Sequence, residues 1–256
     1  MRKKIAAGNW KMNLPYNEGM ELAEAIINGA KDISDNQLVI LGTPYIHLKE
    51  AAGIATNNPK VEIAAQNCHQ AEKGAFTGEI SIPMLQSIGI KYVILGHSER
   101  REYFHETNEI LAEKVKAVLA AGMIPIFCCG ESLDVREEGW HAKFVRTQLE
   151  KGLFHLSAEE FGKVILAYEP IWAIGTGVTA SPQQAQDMHK EIRLTIENQY
   201  DVNVAENTSI LYGGSVKPTN ADELFSQADV DGGLVGGASL KPELFLPIIS
   251  SLASYS

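Results

Sequence analysis

The chain has 256 residues, 45% of them hydrophobic, and a formal net charge of −10 at pH 7, enough for one large domain such as a single α/β barrel. No segment approaches the apolar length of a membrane span, and the negative balance argues against nucleic acid and anionic membranes, which call for basic patches. Met-Arg-Lys-Lys runs into Ile5-Ala-Ala-Gly-Asn-Trp without the apolar core of a signal peptide, the last residues match no targeting or lipidation box, and three cysteines, two adjacent, make no disulfide framework. The expectation is one domain over 1–256 in a reducing cytoplasm.

Short β-rich apolar runs recur around 4–9, 37–42, 60–65, 90–95, 122–128, 163–168, 208–212 and 230–235. Between most of them lie stretches of helical period, such as Glu18 to Ala30, Asn108 to Ala120, Pro182 to Gln199 and Pro242 to Leu252. Alternating strands and helices predict a parallel sheet, and eight strands close a barrel. The fold class is therefore α/β, a (β/α)8 barrel. A doubly wound open sheet is the other arrangement, but no Gly-x-Gly-x-x-Gly follows the first strand. In such barrels catalytic groups sit at the C-terminal ends of the strands.

The first strand ends in Asn9 and Lys11, which share one side of an extended chain. They read either as a donor pair for developing negative charge or as a solvated lysine beside a turn. The second ends without catalytic chemistry and reads as scaffold. After the third comes a long loop, His69 to Glu79, with Phe76 at its tip; it inserts into a partner or packs back on its own surface. Cys68-His69 lacks further ligands for zinc. The fourth ends in His97, with Ser98 as helix N-cap and Glu99 in the first turn. The helix dipole would keep His97 neutral, able to donate a hydrogen bond to a carbonyl; the other reading is a capping-region histidine without chemistry. His47, His105, His141, His155 and His189 read as surface residues. The fifth strand supplies Cys128 and Cys129, of which at least one reads as buried and inert.

The sixth strand, Val164 to Glu169, is an almost continuous apolar run ending in a carboxylate. Pro170 holds Glu169 extended. Ile171 and Trp172 then lead to Gly175-Thr176-Gly177, so the stretch reads as a base beneath a lid, or as an ordinary turn with an exposed Glu. The seventh and eighth strands end in glycine pairs, Gly213-Gly214 and Gly236-Gly237. Backbone N–H groups unobstructed by side chains make an anion site where barrels commonly bind phosphate.

Six stretches carry a family resemblance: Gly8-Asn-Trp-Lys-Met-Asn13, Gly74-Ala-Phe-Thr-Gly-Glu79, Gly96-His-Ser-Glu-Arg-Arg101, Tyr168-Glu-Pro-Ile-Trp-Ala-Ile-Gly-Thr-Gly177, Tyr212-Gly-Gly-Ser-Val216 and Leu234-Val-Gly-Gly-Ala-Ser-Leu240. In order, from residue 5 to about 250, the chain resembles the triosephosphate isomerase family. The general logic of that enzyme's base, neutral histidine and closing loop is a worked case of catalytic physical chemistry.

The resemblance implies interconversion of glyceraldehyde 3-phosphate and dihydroxyacetone phosphate, with Glu169 as base, His97 as neutral donor, Lys11 offsetting the enediolate charge and Asn9 orienting the substrate. It implies Glu99 near Lys11, and phosphate on the backbone amides of Gly175, Ser215, Gly236 and Gly237. It further implies a lid over Pro170 to Thr176 held by Tyr212 and Ser215, and a homodimer through Phe76 and Thr77. No metal or organic cofactor is implied. One departure is Cys129, where many relatives carry an aliphatic residue. A barrel aldolase would need a Schiff-base lysine or a metal cluster, and an idle scaffold would be expected to have lost Lys11, His97 or Glu169.

Overall fold

Each apolar run of the sequence becomes a strand with both faces covered. The computed structural model describes residues 2–30, 33–175 and 179–252. Its strands are β1 Lys4–Asn9, β2 Gln37–Thr43, β3 Val61–Ala65, β4 Tyr92–Leu95, β5 Ile124–Glu131, β6 Ile165–Pro170, β7 Ile210–Tyr212 and β8 Gly232–Val235. They pair in sequence order, all parallel, and close when β8 pairs β1. Helices surround them, including Tyr16–Gly29, Tyr45–Ala55, Asn108–Ala120, His141–Leu153, Pro182–Gln199 and Pro242–Ser251. Among the described residues no helix is long and apolar enough to cross a membrane.

Alternation along each strand produces two apolar layers. Ile5, Ala7, Ile40, Ile94, Ile126 and Ala167 fill the barrel interior. Their neighbours Ala6, Val39, Val93, Phe127 and Leu166 face the helices. That is why the runs read as continuous rather than alternating hydrophobicity. Closure depends on one glycine. At Gly232 φ is 123°, and a Cβ would lie 2.0 Å from the Ile5 carbonyl oxygen, so β8 reaches β1 only without a side chain.

The N-terminal end of the barrel is sealed by charge. Asp231, fully buried, accepts from Arg2 Nε and Arg193 Nη2, each at 2.9 Å, and from the Ile210 amide at 3.0 Å. The opposite end is left for chemistry.

The strand positions agree with the sequence reading. β5 runs further than expected because β6 pairs with it as far as Glu131↔Pro170. Two histidines correct that reading: His47 and His189 are buried, not at the surface. His189 lies on the helix stripe Ala185, Met188, Ile192 and Ile196, a spacing visible in the sequence. His47 packs edge-on to Trp10 and stacks on Tyr16. All three cysteines are free and buried.

Candidate active site

At the end of β1 the chain bends sharply. Lys11 has φ 53°, a left-handed conformation that costs a non-glycine residue roughly 1–2 kcal/mol. Two side chains hold it there. Asn9 Oδ1 accepts the Lys11 N–H at 3.0 Å, and Gln66 Nε2 donates to the Lys11 carbonyl at 2.9 Å while also bonding the Gly42 carbonyl at 2.9 Å. The Lys11 ammonium then meets Glu99 Oε1 at 2.6 Å. Gln66 carries no sequence signal for this task, because both its acceptors are distant in the chain.

At the end of β4, His97 and not Ser98 caps the helix Ser98–Tyr103, and its Nδ1 accepts the Glu99 N–H at 3.3 Å. Ser98 is instead the seat of Glu169. The Ser98 N–H donates to Oε2 at 2.9 Å and its hydroxyl to Oε1 at 3.2 Å. His97 Nε2 lies 2.9 Å from the same Oε1. With Nδ1 accepting, the hydrogen-bond pattern assigns the proton to Nε2.

Burial disfavours the charged form of His97, but the Glu169 carboxylate and, after it, Glu99 together raise the pKa above its usual value. The helix dipole expected to keep this ring neutral is opposed while Glu169 rests against it. Against full protonation, an imidazolium would set an Nδ1–H donor against the Glu99 N–H. Departure of Glu169 would remove the larger raising influence.

Glu169 ends β6 fully buried. Behind it, Glu131 at the end of β5 accepts from Tyr168 Oη and Trp172 Nε1, each at 2.9 Å, and from Arg136 Nη1 at 3.0 Å. The Arg136 guanidinium also lies over the Trp172 ring. Glu131 and Arg136 thereby grip the turn Ile171–Ala173 that leaves the strand, and neither was legible as a site residue. The lid expected over Pro170 to Thr176 is described through Gly175; Thr176 and Gly177 lie outside the described residues.

A cavity of about 770 Å³ opens beside these strand ends, lined by Asn9, Lys11, His97, Gly175, Ser215, Gly236 and Gly237. Glu169 and Tyr212 are not in its wall. The base candidate is turned onto Ser98, behind His97. Tyr212 is buried under the turn. Burial pushes its pKa up to about 12, the Ala180 amide pulls the other way, and the hydroxyl has no full hydrogen bond among the described residues. Ser215 Oγ donates to the Ala173 carbonyl at 3.1 Å, tying the β7 end to the turn after β6.

The two glycine pairs are not equivalent. A Cβ on Gly214 would lie 2.2 Å from Tyr212 Oη and 3.0 Å from Pro170, and one on Gly213 would lie 3.0 Å from Glu169 Cγ. That pair is required by packing against β6. A Cβ on Gly237 would meet nothing within 4 Å, so its side of the backbone is open, as an anion seat requires.

In the loop after β3, Phe76 rests on its own His69 ring at 4.1 Å between centroids and remains 45% exposed. Met12, Met84 and Phe104 are also exposed. Among the described residues no three His, Cys, Asp or Glu side chains are grouped as metal ligands.

A family model described as "Triosephosphate isomerase" matches residues 4–252. A curated protein of that name from Cytophaga hutchinsonii is 57% identical over 98% of this chain and 100% of its own. Relatives of the same name from Porphyromonas gingivalis and Bacteroides fragilis are 54% and 53% identical, covering 98% of this chain and at least 99% of theirs.

Proposed function

The chain belongs to the triosephosphate isomerase family, and from that premise we propose that it interconverts D-glyceraldehyde 3-phosphate and dihydroxyacetone phosphate in glycolysis and gluconeogenesis. The observation that carries the residue assignment is the contact of His97 Nε2 with Glu169 Oε1 at 2.9 Å, beside a cavity walled by Lys11 and open glycine amides.

The carboxylate of Glu169 takes the proton from the carbon next to the carbonyl, and the C–H electron pair becomes the enediolate double bond. His97 Nε2–H donates to the carbonyl oxygen as negative charge builds there. Lys11, held at the rim, offsets that charge, and Asn9 orients the substrate. The neighbouring hydroxyl passes its proton to the first oxygen through His97 Nε2 and becomes the new carbonyl, while the abstracted proton returns to the carbon that bore the old one, which completes the isomerisation. Glu99, paired with Lys11, tunes it. The phosphate sits on the amides of Gly175, Ser215, Gly236 and Gly237. General base action typically supplies roughly 10²–10⁴ in rate, and preorganised charge supplies the larger share.

Before acting, Glu169 must leave Ser98, whose two donors and the His97 proton occupy its lone pairs. Binding energy from the phosphate is the natural driver, since it is spent away from the reacting carbons. The lid keeps the enediolate dry, because in water it eliminates the neighbouring phosphate. We place the enzyme in the cytoplasm as a single domain, without cofactor, and as a homodimer through Phe76 and Thr77. A half-exposed aromatic at Phe76 supports that surface.

A coupled assay with chelator present, glyceraldehyde 3-phosphate as substrate and Glu169→Gln as control tests the reading. Conversion by the wild type, reduced about 10²-fold or more in the variant with glycerol 3-phosphate affinity retained, is expected. No conversion by a folded wild type would overturn it.

A further inference from the structure

The helix Ser98–Tyr103 carries two adjacent arginines, and they are used differently. Arg100 pairs with Glu106 at 2.7 Å. Arg101 makes no ion pair among the described residues and donates to three neutral oxygens: Nε to the Gly96 carbonyl at 2.7 Å, Nη1 to Asn108 Oδ1 at 2.7 Å and Nη2 to the Cys128 carbonyl at 2.9 Å. Its guanidinium also lies 5.5 Å from the centroid of the Phe127 ring. Burial pushes its pKa down, the mark of a cation kept out of water at a cost.

What it holds explains the arrangement. The β4–β5 ladder ends at Leu95↔Phe127, while β5 runs on to Glu131 with β6 on its other side. Gly96 and Cys128 are the next residues along the two strands. There the chain turns away at Gly96 with φ 71°, and among the described residues the β4–β5 pairing does not extend to the peptide that leads into His97. The planar fork of Arg101 spans the gap, one donor to each strand. On the far side of β5, Gly130 pairs with Glu169, so closely that a Cβ on Gly130 would lie 1.8 Å from the Glu169 carbonyl oxygen. The strand that Arg101 fastens to His97 is thus the one pressed against the base.

We infer that Arg101 is a positioning residue: by clamping the end of β4 to β5 it fixes the His97 imidazole against Glu169 and against the carbonyl that His97 polarises. The inference rests on the reading of His97 as the carbonyl's donor. A lysine would keep the charge near Glu169 but could not reach both strands, so Arg101→Lys separates the clamp from the field. Asn108→Ala, removing one acceptor at the start of the next helix, loosens the guanidinium without altering the strands.

The experiment measures kcat and KM for each variant, the affinity of glycerol 3-phosphate, and the infrared carbonyl stretch of bound dihydroxyacetone phosphate, with His97→Gln alongside. A displaced donor costs up to about 100-fold. We expect kcat of Arg101→Lys to fall roughly 10- to 100-fold, glycerol 3-phosphate affinity to stay within about twofold of wild type because the phosphate seat lies across the cavity, and the stretch to move toward that of the free ketone. Asn108→Ala should move kcat and the stretch the same way by less. A merely structural arginine would lower thermal stability and leave the stretch of the folded variant unchanged. A stretch that moves in His97→Gln but not in Arg101→Lys overturns the inference alone; one unmoved in both overturns the reading of His97 and the inference with it. Should Arg101→Lys not fold, a wild-type stretch and kcat in Asn108→Ala decide against the clamp.

Discussion

His189 is fully buried, edge-on to Tyr168 and tilted against Tyr212, and burial pushes its pKa down to about 4. An unfolded chain titrates near 6.5. Between those values the unfolded state binds a proton that the folded state refuses, so stability is complete above about 6.5 and is lost as pH falls toward 4. The window corresponds to roughly 3 kcal/mol. His97, whose pKa is raised, contributes the opposite slope. The quantity to measure is therefore the difference in urea midpoint between wild type and His189→Gln across pH 5–7; parallel curves would show that the ring's burial does not couple to folding. Gln66 makes a second case. Its amide donates to the Lys11 and Gly42 carbonyls, whereas Gln66→Glu sets an anion against two oxygens. A loss of about 1–3 kcal/mol is expected, smaller at acid pH where the carboxyl regains a proton to donate. An unmoved melting temperature at pH 7 would rule out a supporting role for these bonds.

At the scale of an element, the turns after β7 and β8 look alike in sequence, since each is a glycine pair at a strand end. Their neighbours make them different. Gly214→Ala forces a methyl into Tyr212 and Pro170, and overpacking of that kind costs about 1–3 kcal/mol. Gly237→Ala meets no atom within 4 Å, so stability should change by less than about 0.5 kcal/mol while KM rises as the methyl crowds the phosphate seat. Denaturant titration beside steady-state kinetics separates the two. Equal stability losses, or a Gly237→Ala enzyme with unchanged KM, would refute the distinction. The cysteines of β5 belong to this scale too. Burial pushes the Cys129 thiol up to about 12 and holds Cys128 well above the usual thiol value too, and thiolate is the reactive form. Alkylation of native protein should leave both untouched until the barrel opens; rapid labelling of Cys129 under native conditions would contradict their placement.

For the whole molecule, the proposed homodimer places the Phe76 loop in a partner. Phe76→Asp should shift sedimentation toward the monomer, because a carboxylate cannot be desolvated there without a counter-charge. An unaltered dimer would leave Phe76 to its packing on His69. The same strand ends that present this surface also carry Lys11, Glu99 and His97, so monomers should be poorer catalysts as well as smaller particles.

The sequence by itself determined the eight-strand rhythm, the barrel, and which residues stand at its catalytic end. Those features are local: apolar runs, helical spacing and glycine or proline at junctions set strand and helix limits within a few residues. Glu169 could be picked out because its apolar run passes directly into an acid, then Pro170 and a glycine-ended apolar loop, all within one short stretch. Only the tertiary structure decided that Glu169 rests on Ser98 and outside the cavity wall, that Gln66 braces Lys11, that Glu131 and Arg136 grip the turn after β6, and that Arg101 spans β4 and β5. Each of these joins residues that are neighbours only across strands. Periodicity reports which face a side chain takes, but not what lies opposite it. His189 marks that boundary: the stripe of Ala185, Met188, Ile192 and Ile196 pointed it inward, while the neutral ring between two tyrosines became visible only once the helix lay against β6 and β7.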